Sequence, residues 1–151
     1  MVLFFGHGLP ASEAHPYSSW ALTADELTGV DLARQLQELP AGVDTVVISD
    51  CCYGRGFFHA CARVFGGGAA REPMVEPPIV CISAAGDGLT DGGIVLGAVA
   101  AELVNEVMAA AVRGASYHAL EQRFRATGFA GREFHVDARP RECLERLVFG
   151  V

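Results

Sequence analysis

The sequence predicts an α/β protein with three layers (αβα), in which helices cover both faces of a mostly parallel β-sheet. Short apolar runs alternate with amphipathic segments along the chain, an order typical of a parallel sheet with helical crossovers. Apolar residues make up 51% of the chain and charged residues only 19%, as expected for strands buried on both faces. The 151 residues suffice for one such domain, so residues 1–151 are expected to fold as a single unit.

The first half of the chain contains two predicted strands with a helix between them. The apolar run Val2–Phe5 stops at the turn Gly6-His7-Gly8, which predicts a buried strand followed by a glycine turn. Thr23 and Glu26 have the spacing of a capping box, and the leucines that follow predict an amphipathic helix. A second buried strand is expected over residues 43–49.

The second half of the chain repeats the same alternation. A short helix is expected over 57–65, and the glycine run after it predicts a flexible loop at about 66–78. The apolar run 79–83 predicts a third buried strand. The remaining predicted elements are helices at 94–112 and 117–125 and a short strand at 133–136.

Charge and composition argue against two classes of partner. The formal net charge of −7 lacks the basic footprint typical of nucleic-acid binding. The most apolar long stretch, 94–112, contains Glu102, Asn105 and Glu106, which disfavours a membrane span. Five cysteines, an odd number, and the absence of a recognisable leader favour a cytoplasmic protein in a reducing environment.

His7 and Cys52 are the predicted reactive pair. Each follows a predicted strand, and the carboxyl ends of neighbouring parallel strands meet at one edge of a sheet, where functional groups gather. An imidazole beside a thiol assists thiolate formation and then protonates the departing amine. The backbone amides of Gly8 and Cys52 are candidate donors to an oxyanion. The alternative is that Cys52 is a small core residue and His7 a structural histidine.

At these residues the sequence resembles the caspase-like cysteine peptidases. The turn Gly6-His7-Gly8 and the motif Asp50-Cys51-Cys52 are similar to the histidine and cysteine motifs of that superfamily, and the Asp-x-Cys spelling is nearer to metacaspases and orthocaspases than to animal caspases. The resemblance extends from Val2 to about Val112 through a similar order of elements. It implies a caspase-like fold and a cysteine endopeptidase with His7 and Cys52 as its dyad.

The resemblance also implies cleavage after Arg or Lys. Acidic residues line the specificity pocket of metacaspases, and the matching positions here are Asp50 and Asp87. A carboxylate on a pocket wall selects a basic side chain through a charge-assisted hydrogen bond. The alternative for Asp87 is an ordinary turn aspartate.

The loop at about 66–78 occupies a place where relatives are cut during maturation. Arg71 stands there among glycines and alanines, a context suited to proteolysis, so we expect self-cleavage after Arg71; an inert surface loop is the alternative.

No cofactor or metal is predicted from the residues. Cys51, Cys52, His59 and Cys61 fit no structural zinc spacing, and acidic residues are too scattered to argue for the calcium that some metacaspases require.

Two departures from the family pattern leave alternatives open. Arg55, three residues after Cys52, would either favour the thiolate or oppose a basic substrate. The family also has strands before the histidine strand, and their absence would leave an apolar sheet edge exposed. The alternatives are a fragment, a chain whose start lies upstream, and one half of a dimeric or two-chain protein in which a second copy or a partner chain covers this edge. The expected partner is therefore a peptide or protein substrate, with a homodimer or partner chain at this edge. The competing functions are a catalytically weak or inactive interaction module that needs a partner chain, and a different thiol hydrolase.

Overall fold

The computed structural model describes residues 1–13, 16–40, 43–66, 78–84, 98–127 and 134–150. In chain order the strands are β1 (Val2–Phe5), β2 (Gly8–Leu9), β3 (Ser19–Ala21), β4 (Glu26–Thr28), β5 (Thr45–Asp50), β6 (Ile79–Ser83) and β7 (His135–Arg139). The α-helices are α1 (Gly29–Leu36), α2 (Gly54–Gly66), α3 (Ala98–Val112) and α4 (Tyr117–Thr127). Two 3₁₀ helices, Arg141–Glu145 and Val148–Gly150, complete the described part of the chain.

The main sheet is mixed and has the strand order β1-β5-β6-β7. β1 pairs parallel with β5, and β5 pairs parallel with β6. β7 pairs antiparallel with β6 and forms one edge. The α/β class predicted from the sequence is confirmed, and parallel pairing predominates in this sheet as expected.

Helices pack on both faces of the main sheet because its strand residues alternate between two cores. Val47 and Cys81 belong to a core with buried residues of α1 and α2, including Phe57. Ile48 belongs to the other core, together with buried residues of α3 and α4 such as Leu103. This arrangement is consistent with the three-layer αβα sandwich. None of the described helices combines the length and apolarity needed to cross a membrane.

A second sheet, which the sequence analysis did not predict, follows the turn that carries His7. It is antiparallel, with the order β2-β3-β4, and its strands have only two or three residues. Strands this short have no measurable periodicity in the sequence. Its last strand, β4, lies where the sequence predicted the start of the first helix.

The start of α1 corrects one sequence prediction. The capping box that forms is Thr28 with Asp31, not Thr23 with Glu26: Thr28 Oγ1 accepts a hydrogen bond of 3.1 Å from the Asp31 amide, and Asp31 Oδ2 accepts one of 3.2 Å from the Thr28 amide. Glu26 instead lies in β4 and accepts a hydrogen bond from the buried Ser19 hydroxyl. The N-cap therefore lies five residues later than expected, and the helix begins at Gly29.

β1 is the other edge of the main sheet and has an apolar exposed face. Val2 and Phe4 pack against the core on one side, whereas Leu3 and Phe5 are 44% and 40% exposed on the other. Within the described residues β1 pairs only with β5. Coverage of this edge by a second copy or a partner chain stays a prediction.

Candidate active site

His7 and Cys52 occupy matched positions at the carboxyl ends of two adjacent strands. In the β1–β5 register Phe5 lies opposite Asp50, and each candidate residue comes two positions later in its own chain segment. Neighbouring strands are about 4.8 Å apart, so matched positions bring the two backbones together. His7 is exposed and Cys52 is half-buried.

The backbones of the two turns are in direct contact at Gly8. A Cβ atom at this position would overlap the Cys52 carbonyl oxygen and lie 2.8 Å from the Cys52 carbonyl carbon and 3.2 Å from Cys51 Sγ. Only glycine permits an approach this close. The histidine turn and the cysteine turn are therefore packed against each other without an intervening side chain.

The main chain around His7 is held from two directions. The Gly6 amide donates a hydrogen bond of 3.3 Å to the Asp50 carbonyl of the main sheet, and the Ala21 amide donates one of 2.9 Å to the His7 carbonyl from the small sheet. His7 thus lies at the junction of the two sheets, and its backbone is fixed while its imidazole faces solvent.

A stack of three aromatic rings joins the elements that carry the two turns. The Trp20 indole lies between Phe4 and Phe57, with ring centroids 4.4 Å and 3.9 Å away and the planes within 4° of parallel. These residues belong to β3, β1 and α2 respectively, and Trp20 is only 2% exposed. The stack fixes α2, which follows the Cys52 turn, relative to β1, which precedes the His7 turn.

Cys52 lies in a tight turn between a strand end and a helix start. β5 ends at Asp50 and α2 begins at Gly54, so the helix N-terminal amides are close to this thiol in the chain. Tyr53 has φ 57°, in the left-handed region that non-glycine residues rarely adopt. The Phe57 amide donates a hydrogen bond of 3.1 Å to the Tyr53 carbonyl, which closes the first turn of the helix.

Exposure separates Cys52 from the other four cysteines. None of the five cysteines forms a disulfide, and Cys52 alone is not buried. Burial raises the pKa of the Cys51 thiol to about 11, although its 3.2 Å hydrogen bond with Ser49 opposes the rise. Burial raises the pKa of Cys61 to about 12 and holds those of Cys81 and Cys143 above their ordinary value. The four buried thiols are therefore protonated at neutral pH and shielded from substrates.

Asp50, the residue expected to select a basic substrate side chain, ends β5 and is only 7% exposed. The alternation of β5 places it on the same face as Val46 and Ile48, towards α3 and α4. Its charge contributes to the raised pKa of Cys51. Asp50 is thus a nearly buried carboxylate next to the cysteine turn, and its role in substrate selection stays a prediction.

Arg55 does not point into the candidate site. Its guanidinium donates two hydrogen bonds to the Asp137 carboxylate, from Nε at 3.2 Å and from Nη2 at 3.3 Å. Asp137 lies opposite Cys81 in the sheet, and Cys81 in turn pairs with Val47. Val47 is in the middle of β5, five residues before Cys52, so Asp137 lies away from the carboxyl ends of the strands where His7 and Cys52 are placed. The charge of Arg55 is thus paired with a carboxylate. Neither a direct effect of Arg55 on the Cys52 thiol nor repulsion of a basic substrate by Arg55 follows from this arrangement.

Three further predictions cannot be compared with the structure. Asp87, Arg71 and nearly all of the 66–78 loop lie outside the described residues. The pocket role of Asp87 and self-cleavage after Arg71 remain predictions. In the described ranges no group of three or more His, Cys, Asp or Glu side chains is arranged to hold a metal ion.

A cavity of about 500 Å³ lies at the amino ends of the parallel strands, whereas His7 and Cys52 follow their carboxyl ends. It is lined by residues at the amino ends of β5 and β6, including Thr45 and Val80, and by Tyr117 and Phe149. Its one cysteine, Cys143, is 1% exposed, so the cavity has no accessible nucleophile of this type.

Trp20 and Asp137 are the site-supporting residues that sequence reasoning missed. Trp20 is the only tryptophan of the chain and stands in a polar segment, which is a signal for a buried anchor. Asp137 has no comparable signal, because its partner Arg55 is 82 residues away in the chain. Comparison with family models, with curated proteins and with solved structures found no match to this chain.

Proposed function

We propose that this protein is a cysteine endopeptidase that uses Cys52 as its nucleophile and His7 as its general base and acid. The observation that carries the proposal is the contact of the two turns: Gly8 packs directly on the Cys52 carbonyl. That contact lies beside the one cysteine of the five that is not buried. A structural cysteine would need neither an exposed histidine in matched register nor a strained turn at a helix N-terminus.

The reaction follows from these groups. His7 takes the proton of the Cys52 thiol, and the thiolate attacks the carbonyl carbon of the scissile bond. Backbone amides of Gly8 and Cys52 are the proposed donors to the oxyanion. The carbon–nitrogen bond then breaks while the imidazolium returns its proton to the leaving amine. Water hydrolyses the thioester and releases the carboxylic acid and the free thiol.

Cleavage after Arg or Lys is the proposed specificity. The buried carboxylate of Asp50 beside the cysteine turn supports it, as does the resemblance of Asp50-Cys51-Cys52 to the metacaspase motif. The pairing of Arg55 with Asp137 offsets the positive charge that stands three residues after Cys52 and would otherwise repel a basic substrate. The net charge of −7 also favours basic peptides over acidic ones at long range.

The test is hydrolysis of fluorogenic peptides ending in Arg, Lys or Asp by the native protein and by Cys52→Ala and His7→Ala. We expect turnover of the Arg and Lys peptides only, and loss of that turnover in both variants. Cys143→Ala is the matched control, because it removes a buried thiol at the far end of the sheet. A folded native protein with no Cys52-dependent turnover would refute the proposal, and cleavage after Asp alone would refute the specificity.

The exposed apolar edge of β1 favours a second candidate function, an inactive caspase-like module that binds a second copy or a partner chain. Leu3 and Phe5 leave a face of this edge strand uncovered within the described residues. Sedimentation of the native protein and of Phe5→Lys distinguishes the two. An inactive dimer that Phe5→Lys dissociates would favour the module, and an active monomer would favour the enzyme.

A further inference from the structure

The first turn of α2, which follows Cys52, is anchored on two sides. On one side Phe57 stacks on Trp20, with centroids 3.9 Å apart. On the other side Arg55 reaches across the face of the sheet to Asp137 on the edge strand β7. Residues two apart in a helix point in clearly different directions, so the two anchors hold the turn from different sides.

Arg55 and Asp137 form a two-pronged ion pair. Two parallel N–H donors of the guanidinium meet the two carboxylate oxygens, a fork that fixes orientation as well as distance. The side chains are 38% and 20% exposed, so the pair is partly withdrawn from solvent. Asp137 is itself placed by β-pairing opposite the buried Cys81.

We propose that Arg55 and Asp137 are positioning residues for the nucleophile: their ion pair holds the cysteine turn in the geometry that catalysis needs. The inference rests on the proposed function of Cys52. Neither side chain touches the substrate in this role. They act through the backbone from Tyr53 to Phe57, whose left-handed residue and closing hydrogen bond leave little freedom once both anchors are in place.

The test compares variants at each end of the pair by kinetics. We expect Arg55→Met and Asp137→Asn to lower kcat per active site about tenfold or more with little change in KM, because small displacements of a nucleophile are costly. Active sites are counted with a thiol-directed peptidyl inhibitor, so loss of folded protein does not enter kcat. Arg55→Lys keeps the charge but loses the fork, and its kcat should lie between those of native protein and Arg55→Met.

A double variant separates positioning from stability. Arg55→Met with Asp137→Leu removes both charges, so the thermal midpoint should recover relative to Asp137→Asn while kcat remains low. The matched control is the pair Arg123–Glu106, which is also two-pronged, at 2.7 and 3.1 Å, and similarly exposed at 47% and 22%. Glu106→Gln should leave kcat unchanged. Recovery of kcat together with the thermal midpoint in the double variant would overturn the positioning role.

Hydrogen exchange provides a readout that does not depend on peptide turnover. The Phe57 amide, which closes the cysteine turn, should exchange about tenfold faster or more in Asp137→Asn than in native protein, while amides of β6 stay protected. Unchanged exchange at Phe57 would refute the positioning role. A native protein without turnover but with faster exchange in the variant would refute the proposed function and leave the anchoring of the turn intact.

Discussion

Raising the pH from 8 to 10 should destabilise this protein through its buried thiols. Burial raises the pKa of Cys51 to about 11 and that of Cys61 to about 12, from an ordinary value of 9.0. Above pH 9 the unfolded chain loses these two protons while the folded protein keeps them. Because the unfolded state then binds fewer protons, the free energy of unfolding falls as the pH rises. The stabilisation is complete below the unfolded pKa and is lost as the pH rises towards the folded one.

The magnitude follows from the size of the shifts. At pH 10, one unit above the unfolded pKa, each of these thiols lowers the free energy of unfolding by about 1.4 kcal/mol. Cys51 and Cys61 together then account for about 3 kcal/mol, a large share of the roughly 5–15 kcal/mol typical of a whole domain. Cys81, whose pKa burial also raises well above its ordinary value, acts in the same direction.

The assay is urea unfolding followed by circular dichroism at pH 8, 9 and 10, with reductant present. The sequence contains no lysine, so all eleven Lys and Arg positions are arginines, and no lysine amine titrates in this range. Burial also raises the pKa of the Tyr117 hydroxyl, which therefore acts in the same direction as the buried thiols. The Cys61→Ala variant should be less stable at pH 8 and should show a shallower loss up to pH 10. A free energy of unfolding that stays constant or rises over this range would refute the reasoning.

Three substitutions test the geometry of the site. Trp20→Ala should lower the free energy of unfolding by about 3–5 kcal/mol in urea titrations, because a buried ring between two others is lost; an effect below 1 kcal/mol would contradict the stack. Gly8→Ala should separate the two turns and abolish Cys52-dependent turnover. Gly114→Ala, where the added Cβ meets no atom within 4 Å and the only cost is backbone strain at φ 63°, should retain turnover. Tyr53→Gly should stabilise the fold by about 0.5–1 kcal/mol, since glycine adopts φ 57° without strain; a lower thermal midpoint would argue against that backbone.

The sequence predicted the strands of the main sheet where runs of buried residues left no polar face. β6 coincides with the predicted 79–83, and β5 differs from the predicted 43–49 by two residues at its start and one at its end. The predicted start of the first helix was wrong because two segments have the spacing of a capping box. The choice between Thr23 and Thr28 was decided by the pairing of β3 with β4, a tertiary contact that the local pattern does not contain.

The parts of the candidate site that depend on local sequence features were predictable. Glycines beside a strand end marked the turn of His7, and a strand followed by a helix marked that of Cys52. The contacts that hold these turns were not predictable, since Trp20 and Phe57 are far apart in the sequence and Arg55 is farther still from Asp137. Such pairings depend on sheet order and on which face each helix covers.

Trp20 is an intrinsic fluorescent probe of the candidate site. It is the sole tryptophan, so the indole emission of the chain comes from one ring that touches both β1, which leads to His7, and α2, which follows Cys52. Any ligand that changes the spacing of these two elements alters the surroundings of that single fluorophore. Its intensity and emission maximum therefore report any change in the spacing of β1 and α2, without a label and without a chromogenic substrate.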